Sequence, residues 1–165
     1  QKNAVRDVCS AIFENGFGLI VIDCPPSLGT AVISTICAAN MVVIPTNSDQ
    51  FSLKAVELTI QEIKAICETF GLPIPLVKVL YTKFDRRIRL AHDTLDLLSK
   101  RYPEQLIVPP IRTSSEYAKQ LQVQKTVFSG RRKSVARDDY DSFIRALFQL
   151  RISDSPETSS PVENY

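Results

Sequence analysis

The sequence has 165 residues, 44% hydrophobic and 23% charged, with a formal net charge of +2, an ordinary soluble composition with enough chain for one core. No run approaches the roughly 18 continuous apolar residues of a membrane span, and no basic region precedes an apolar segment as in a signal peptide, so neither a span nor secretion is expected and the location reads as cytoplasmic. The four cysteines, Cys9, Cys24, Cys37 and Cys67, include no C-x-x-C pair, which argues for reduced structural thiols over a zinc site or a disulfide framework.

From the N-terminus, Val5, Val8, Cys9, Ile12 and Phe13 recur at helical spacing and stop at the turn-forming Asn15-Gly16, which predicts a helix. GLIVIDCPPSLGT follows at residues 18–30. Its run Leu19 to Ile22 is apolar without alternation, the pattern of a strand buried on both faces of a parallel sheet. Pro25 and Pro26 end that strand, so Asp23 is expected where open α/β sheets bind ligands, just beyond a strand's carboxyl end. Thr30 to Ala39 reads as a short helix and Met41 to Pro45 as a second buried strand. Met41 is the only methionine and the first residue is Gln1, so the native start is expected upstream.

Ser52, then Lys54 to Phe70, reads as a capped amphipathic helix stopped by Gly71. Leu76 to Tyr81 is a third strand, Leu90 to Tyr102 a helix, Leu106 to Val108 a short fourth strand, and Thr113 to Leu121 and Val135 to Leu150 the remaining helices. Strands alternating with helices predict right-handed crossovers, hence an α/β fold whose parallel sheet of βαβ units is flanked by helices over residues 1–152. The last segment, SDSPETSSPVENY at residues 153–165, is polar, proline-containing and acidic, and is expected to be a disordered tail.

An apolar strand, a terminal Asp23 and a short proline-rich loop together form the pattern of a Walker B segment, whose carboxylate holds Mg²⁺ beside nucleotide phosphates. Alone, such an Asp reads more often as a solvated or loop-capping residue. The surrounding residues carry more. IDCPPSLG resembles the deviant Walker B and switch region of the ParA/Soj-type partition ATPases of the MinD/ParA superfamily. In order, VVIPTNSDQFSLKAVE resembles the next strand and loop of that family, VLYTKFDRRIRLA the strand and basic turn after it, and VPPIRTSSEYAKQLQVQKTVF the late segment that passes near the base.

That resemblance covers about residues 5 to 150. It implies a P-loop NTPase fold and, in a complete protein, ATP and Mg²⁺ as cofactors. It makes Asp23 the magnesium acid and Pro25 and Pro26 the frame of a switch loop that senses the γ-phosphate. By position it puts Thr82, Asp85 and Pro109 near the base. Cys24 stands where the family usually has Thr, keeping the small size and losing a good hydroxyl donor. The family's glycine-rich loop, K-G-G-x-G-K-[ST], cradles phosphates with backbone N–H groups. None of the five glycines, Gly16, Gly18, Gly29, Gly71 and Gly130, builds such a loop. The resemblance is thus to the C-terminal part of the fold, and this chain alone is not expected to bind nucleotide tightly or to hydrolyse it.

The net charge of +2 includes the three tail acids Asp154, Glu157 and Glu163, so the remainder carries +5. Its bases cluster at Arg86, Arg87 and Arg89 and again at Arg131, Arg132 and Lys133. Arginine clusters grip nucleic-acid backbone without reading sequence, although a solvated basic face is the plainer reading of charge alone. The resemblance implies the former: nonspecific DNA binding by an ATP-dependent homodimer through Arg86, Arg87, Arg89 and Arg112, with Arg131, Arg132 and Lys133 adding to it. It further implies plasmid or chromosome partitioning on the nucleoid with a ParB-like centromere-binding partner.

Two alternatives stand beside this reading. One is a noncatalytic fragment or regulatory subunit that keeps only a DNA or partner surface. The other is a MinD-like membrane-cycling ATPase, which needs a basic amphipathic C-terminal helix; the acidic, proline-broken tail argues against it and against a membrane partner. His92, the only histidine, reads as a surface residue, Ser27 lies in no nucleophile elbow, and Tyr81, Phe84 and Tyr117 read as core.

Overall fold

A computed structural model describes residues 3–49, 52–129 and 133–153. In chain order the elements are α1 (Ala4–Glu14), α2 (Thr30–Ala38), β1 (Met41–Thr46), α3 (Ser52–Phe70), β2 (Leu76–Tyr81), α4 (Arg89–Arg101), β3 (Leu106–Ile107), α5 (Ser115–Gln122) and α6 (Val135–Ser153). The strands form one parallel sheet in the order β1-β2-β3, with Ile44 opposite Val79 and Leu80 opposite Ile107. This is the expected α/β architecture, a parallel sheet flanked by helices.

β2 is the centre of the core because its alternate side chains serve both faces. Val79 and Tyr81 pack with Val32 and Ile36 of α2, Val56, Ile63 and Cys67 of α3, and Ala91 and Leu98 of α4. Leu80 packs on the opposite face with Ile107 and Ile111, against Tyr117 of α5 and Tyr140, Phe143 and Leu147 of α6. Lys78 shares that second face and is buried, its Nζ donating to the Glu104 carbonyl at 2.6 Å. Burial on both faces explains why β2 reads in the sequence as a nearly unbroken apolar run.

The end of α3 follows directly from Gly71. With φ at +62°, Gly71 takes the left-handed conformation, its N–H donates to the Glu68 carbonyl at 3.2 Å, and the Leu72 N–H reaches back to the Cys67 carbonyl at 2.9 Å. These two bonds are the Schellman closure of a helix. At the other end, Ser52 is the first residue of α3, and its hydroxyl donates to Asn47 Oδ1 at 2.9 Å, tying the helix to the loop after β1.

The expectation for Leu19 to Ile22 is corrected. The segment forms no strand, and Leu19, Val21 and Ile22 are exposed, Val21 by 83%. Apolar character selects extended backbone, but a strand exists only where a neighbour completes its hydrogen-bond ladder. Among the described residues none pairs with it, and β1 pairs only with β2. α1 shares the exposure: it packs beside α2, yet none of its residues is buried. Smaller differences lie at element ends. β3 stops at Ile107 rather than Val108, α5 starts at Ser115, two residues late, and α6 runs through Ser153, the expected first tail residue. The rest of that tail lies outside the described residues.

Candidate functional site

A cavity of about 340 Å³ opens at the carboxyl ends of β1 and β2, lined by Thr46, Asn47, Thr82 and Lys83 and by Ser52 and Thr59 of α3. This is the end of a parallel sheet at which such folds bind ligands. The loops there are held by their own bonds. Thr82 donates to the Thr46 carbonyl through its N–H at 2.7 Å and its hydroxyl at 3.0 Å. Asn47 Oδ1 accepts from the Asp49 N–H at 3.0 Å as well as from Ser52.

Of the residues expected around a nucleotide, Thr82 alone lines this cavity. Asp23, Cys24, Pro25 and Pro26 are all exposed on the segment that leaves the predicted strand, and Asp23 makes no hydrogen bond or ion pair among the described residues. Cys24 Sγ lies 4.0 Å from the Ile22 carbonyl oxygen. Pro109, joined to Val108 by a cis peptide bond, is exposed and does not line the cavity either. Among the described residues no group of three or more His, Cys, Asp or Glu could enclose a metal ion. Asp23 is thus an exposed carboxylate apart from the cavity's lining, and that lining includes no glycine.

Residues 83 to 89 form a braced basic turn. Lys83 takes φ of +54°, the left-handed region that side chains occupy at some cost, and bends the chain just beyond β2. The next residue, Phe84, is buried, and its backbone bridges to Arg112: its N–H donates to the Ile111 carbonyl at 3.0 Å and its carbonyl accepts from the Thr113 N–H at 2.9 Å. The turn and the late PPIR segment, distant in sequence, are thereby made neighbours.

Asp85, expected near the base, braces the turn from within. It accepts from the Arg87 backbone N–H at 3.0 Å, from Nε at 3.0 Å and from a terminal guanidinium nitrogen at 2.7 Å. Those bonds, the side-chain bond foremost, hold the Asp85 carboxyl down at about 2. The same pairing raises the Arg87 guanidinium above its ordinary value. Arg87 nevertheless stays solvent-facing, as does Arg89, whose contact with Asp93 is a long 3.9 Å. Arg86 is exposed and forms no ion pair among the described residues.

Arg112 is engaged differently from the other arginines. Its guanidinium Nε and a terminal nitrogen, together with its backbone N–H at 2.9 Å, all donate to the carboxylate of Asp139 on α6. Asp139 is 2% exposed and the Arg112 side chain 26%. The guanidinium expected on DNA is therefore occupied in docking α6, because a buried carboxylate needs charge-matched donors on every side. Burial, then the Asp139 charge, pushes the neighbouring Tyr117 phenol up to about 12. Lys133 is exposed just ahead of α6, and Arg131 and Arg132 lie outside the described residues.

Sequence reading missed Asp139 and the bracing role of Asp85. Asp139 did leave a signal. Ala136, Tyr140, Phe143 and Leu147 mark the inward face of α6, and Asp139 falls on it.

Comparison with known proteins agrees with this architecture. A family model described as an AAA domain matches residues 1–74. The cell division protein PomZ of Myxococcus xanthus is 26% identical over 143 residues, covering 87% of this chain and 43% of PomZ. The chromosome-partitioning ATPase Soj of Treponema pallidum is 30% identical over 82 residues, covering 50% of this chain and 32% of Soj. The crystal structure of cobyrinic acid a,c-diamide synthase from Mycobacterium smegmatis with bound ADP and magnesium superposes with a TM-score of 0.71 at 24% identity, covering 96% of this chain and 58% of the synthase. That likeness is one of fold. The chain spans less than half the length of the two curated relatives.

Proposed function

We propose that this chain, a relative of the ParA/Soj-type partition ATPases, forms part of an ATPase that partitions plasmid or chromosomal DNA. Each cycle alternates between an ATP-bound homodimer on nonspecific DNA and a released monomer, with a ParB-like protein as the partner that directs it. The working location is the nucleoid in the cytoplasm.

The observation that carries the reading is the basic turn. Arg86, Arg87 and Arg89 are exposed within four consecutive positions at the carboxyl end of β2, on backbone tied to the 111–113 segment. Closely spaced guanidinium groups on a fixed frame suit the phosphates along a duplex, and they act without base contacts, as nonspecific binding requires. α4 starts at Arg89 with no acidic residue in its first turn, so the positive end of its dipole adds to the potential of the turn.

For the nucleotide, Asp23 is the acid that would hold Mg²⁺, and Pro25 and Pro26 would restrict the loop beside it. On this reading a glycine-rich phosphate cradle of the complete protein would stand beside them. The test is binding of the full-length protein to random-sequence duplex DNA with and without ATP and magnesium. The reading requires ATP-dependent, salt-sensitive affinity, and equal or absent binding in both conditions overturns it.

A further inference from the structure

We infer that His92 is the positioning residue of the DNA-contacting turn, holding the Arg86–Arg87 peptide in the orientation that aims both side chains at the phosphates; this rests on the reading of that turn as the DNA surface. His92 is exposed in the first turn of α4, and its Nε2 lies 2.9 Å from the Arg86 carbonyl oxygen. A carbonyl oxygen only accepts, so Nε2 carries the proton and donates. The imidazole ring also stands edge-on to Phe84, with centroids 5.1 Å apart and planes at 76°. Phe84 is itself buried and bonded through its backbone to Ile111 and Thr113. The histidine is therefore placed by a fixed ring on one side and grips the turn on the other.

The gripped atom determines what the contact does. Fixing the Arg86 carbonyl fixes the plane of the peptide that joins Arg86 to Arg87, and with it the relative direction of the two side chains. Asp85 holds the other end of the same peptide, accepting from the Arg87 backbone N–H, and binds the Arg87 guanidinium as well. The Ile88 N–H closes the turn on the Asp85 carbonyl at 3.1 Å. With that peptide held at its carbonyl by His92 and at its N–H by Asp85, Arg86 keeps its side chain without an ion pair among the described residues, the arginine of the three whose charge is least compensated. Order present before binding lowers the entropy lost when phosphate arrives, so the hydrogen bond acts on DNA affinity and not on the charge of the turn.

Four variants of the full-length protein test this, in ATP and magnesium, against a fluorescein-labelled random duplex over a range of salt. His92→Phe keeps an aromatic ring against Phe84 and removes the donor; we expect roughly three- to tenfold weaker binding, the net worth of one hydrogen bond. His92→Gln keeps a donor at similar reach and is expected to bind as the parent does. His92→Ala is expected to match or exceed the loss in His92→Phe, with nucleotide affinity and melting temperature near the parent's in all three. Arg86→Ala is expected to lower the log-log salt slope by about 0.9, one phosphate contact. If Arg86→Ala weakens binding while His92→Phe binds as the parent does, or if Phe and Gln variants are weakened alike, the positioning role is overturned and the DNA surface stands. If Arg86→Ala leaves affinity and slope unchanged, the turn is not the DNA surface and the inference falls with that reading.

Discussion

Arg112 and Asp139 lie 27 residues apart in sequence, yet the carboxylate of Asp139 accepts from both the backbone N–H and the guanidinium of Arg112. One residue thereby attaches the loop after β3 to α6 by main chain and side chain at once. The acid is 2% exposed, so water cannot replace either donor if one is removed.

Breaking this pair therefore costs stability before it costs anything else. Asp139→Ala or Arg112→Ala should destabilise the protein by about 3 kcal/mol, the usual penalty for stranding one member of a buried ion pair. The double variant should lose less than the sum of the two. Urea denaturation checks this. An Arg112→Ala protein of parental stability that fails to bind DNA would return Arg112 to the nucleic-acid surface.

The triple variant Arg86→Ala, Arg87→Ala, Arg89→Ala of the full-length protein should lose most binding to random duplex and keep its nucleotide affinity, because Asp23 belongs to a different segment. The salt dependence should flatten by about 0.9 in slope for each phosphate contact removed. Arg145→Ala is the control: Arg145 pairs with Asp141 one helical turn away and is 73% exposed. Unchanged affinity and slope in the triple variant would make the turn a solvated surface only.

Asp85 gives the turn a defined response to acid. Its carboxyl is held at about 2, below the ordinary 3.8, because Arg87 bonds the charged form. A depressed carboxylate contributes its stabilisation fully above the unfolded value and loses it as pH falls through the folded one. The Asp85–Arg87 contact should thus be intact above about pH 4 and lost progressively toward pH 2. Carboxyl NMR titration should show a midpoint near 2 for Asp85, and Asp85→Asn should abolish the Arg87 Nε–H shift at neutral pH. A midpoint near the ordinary value would contradict the bidentate geometry.

The 165-residue chain expressed by itself should self-associate. Leu19, Val21 and Ile22 are exposed outside any strand, 51%, 83% and 42% respectively, and an apolar unpaired segment of this kind is a template for intermolecular pairing. Val21→Lys should shift sedimentation toward smaller species, since a charge there opposes pairing. A monodisperse parent monomer with a cooperative melt would refute the prediction.

Local pattern was enough to predict most elements. The apolar runs at 41–46 and 76–81 and the helix stop at Gly71 all lie where periodicity and turn chemistry put them. The same holds for the three exposed arginines of the basic turn, because a solvated charge needs no partner to be recognised. Leu19 to Ile22 shows the limit of such reading. Its apolar run predicts a buried strand, but burial is a property of neighbours, and no described strand lies beside it.

Partner choice likewise was decided in three dimensions. Nothing in the spacing of Asp85, Arg112, His92 and Asp139 says that Asp85 turns inward to Arg87, that His92 meets the Arg86 carbonyl, or that Arg112 is taken up by a buried acid. The sequence by itself determined the fold class, the order of the strands and helices that do form and the location of its positive charge, because propensity and hydrophobic period act over a few residues. Which charges remain free for a ligand and which are consumed in bracing was decided by the tertiary structure, since a hydrogen bond of about 3 Å depends on how distant segments pack.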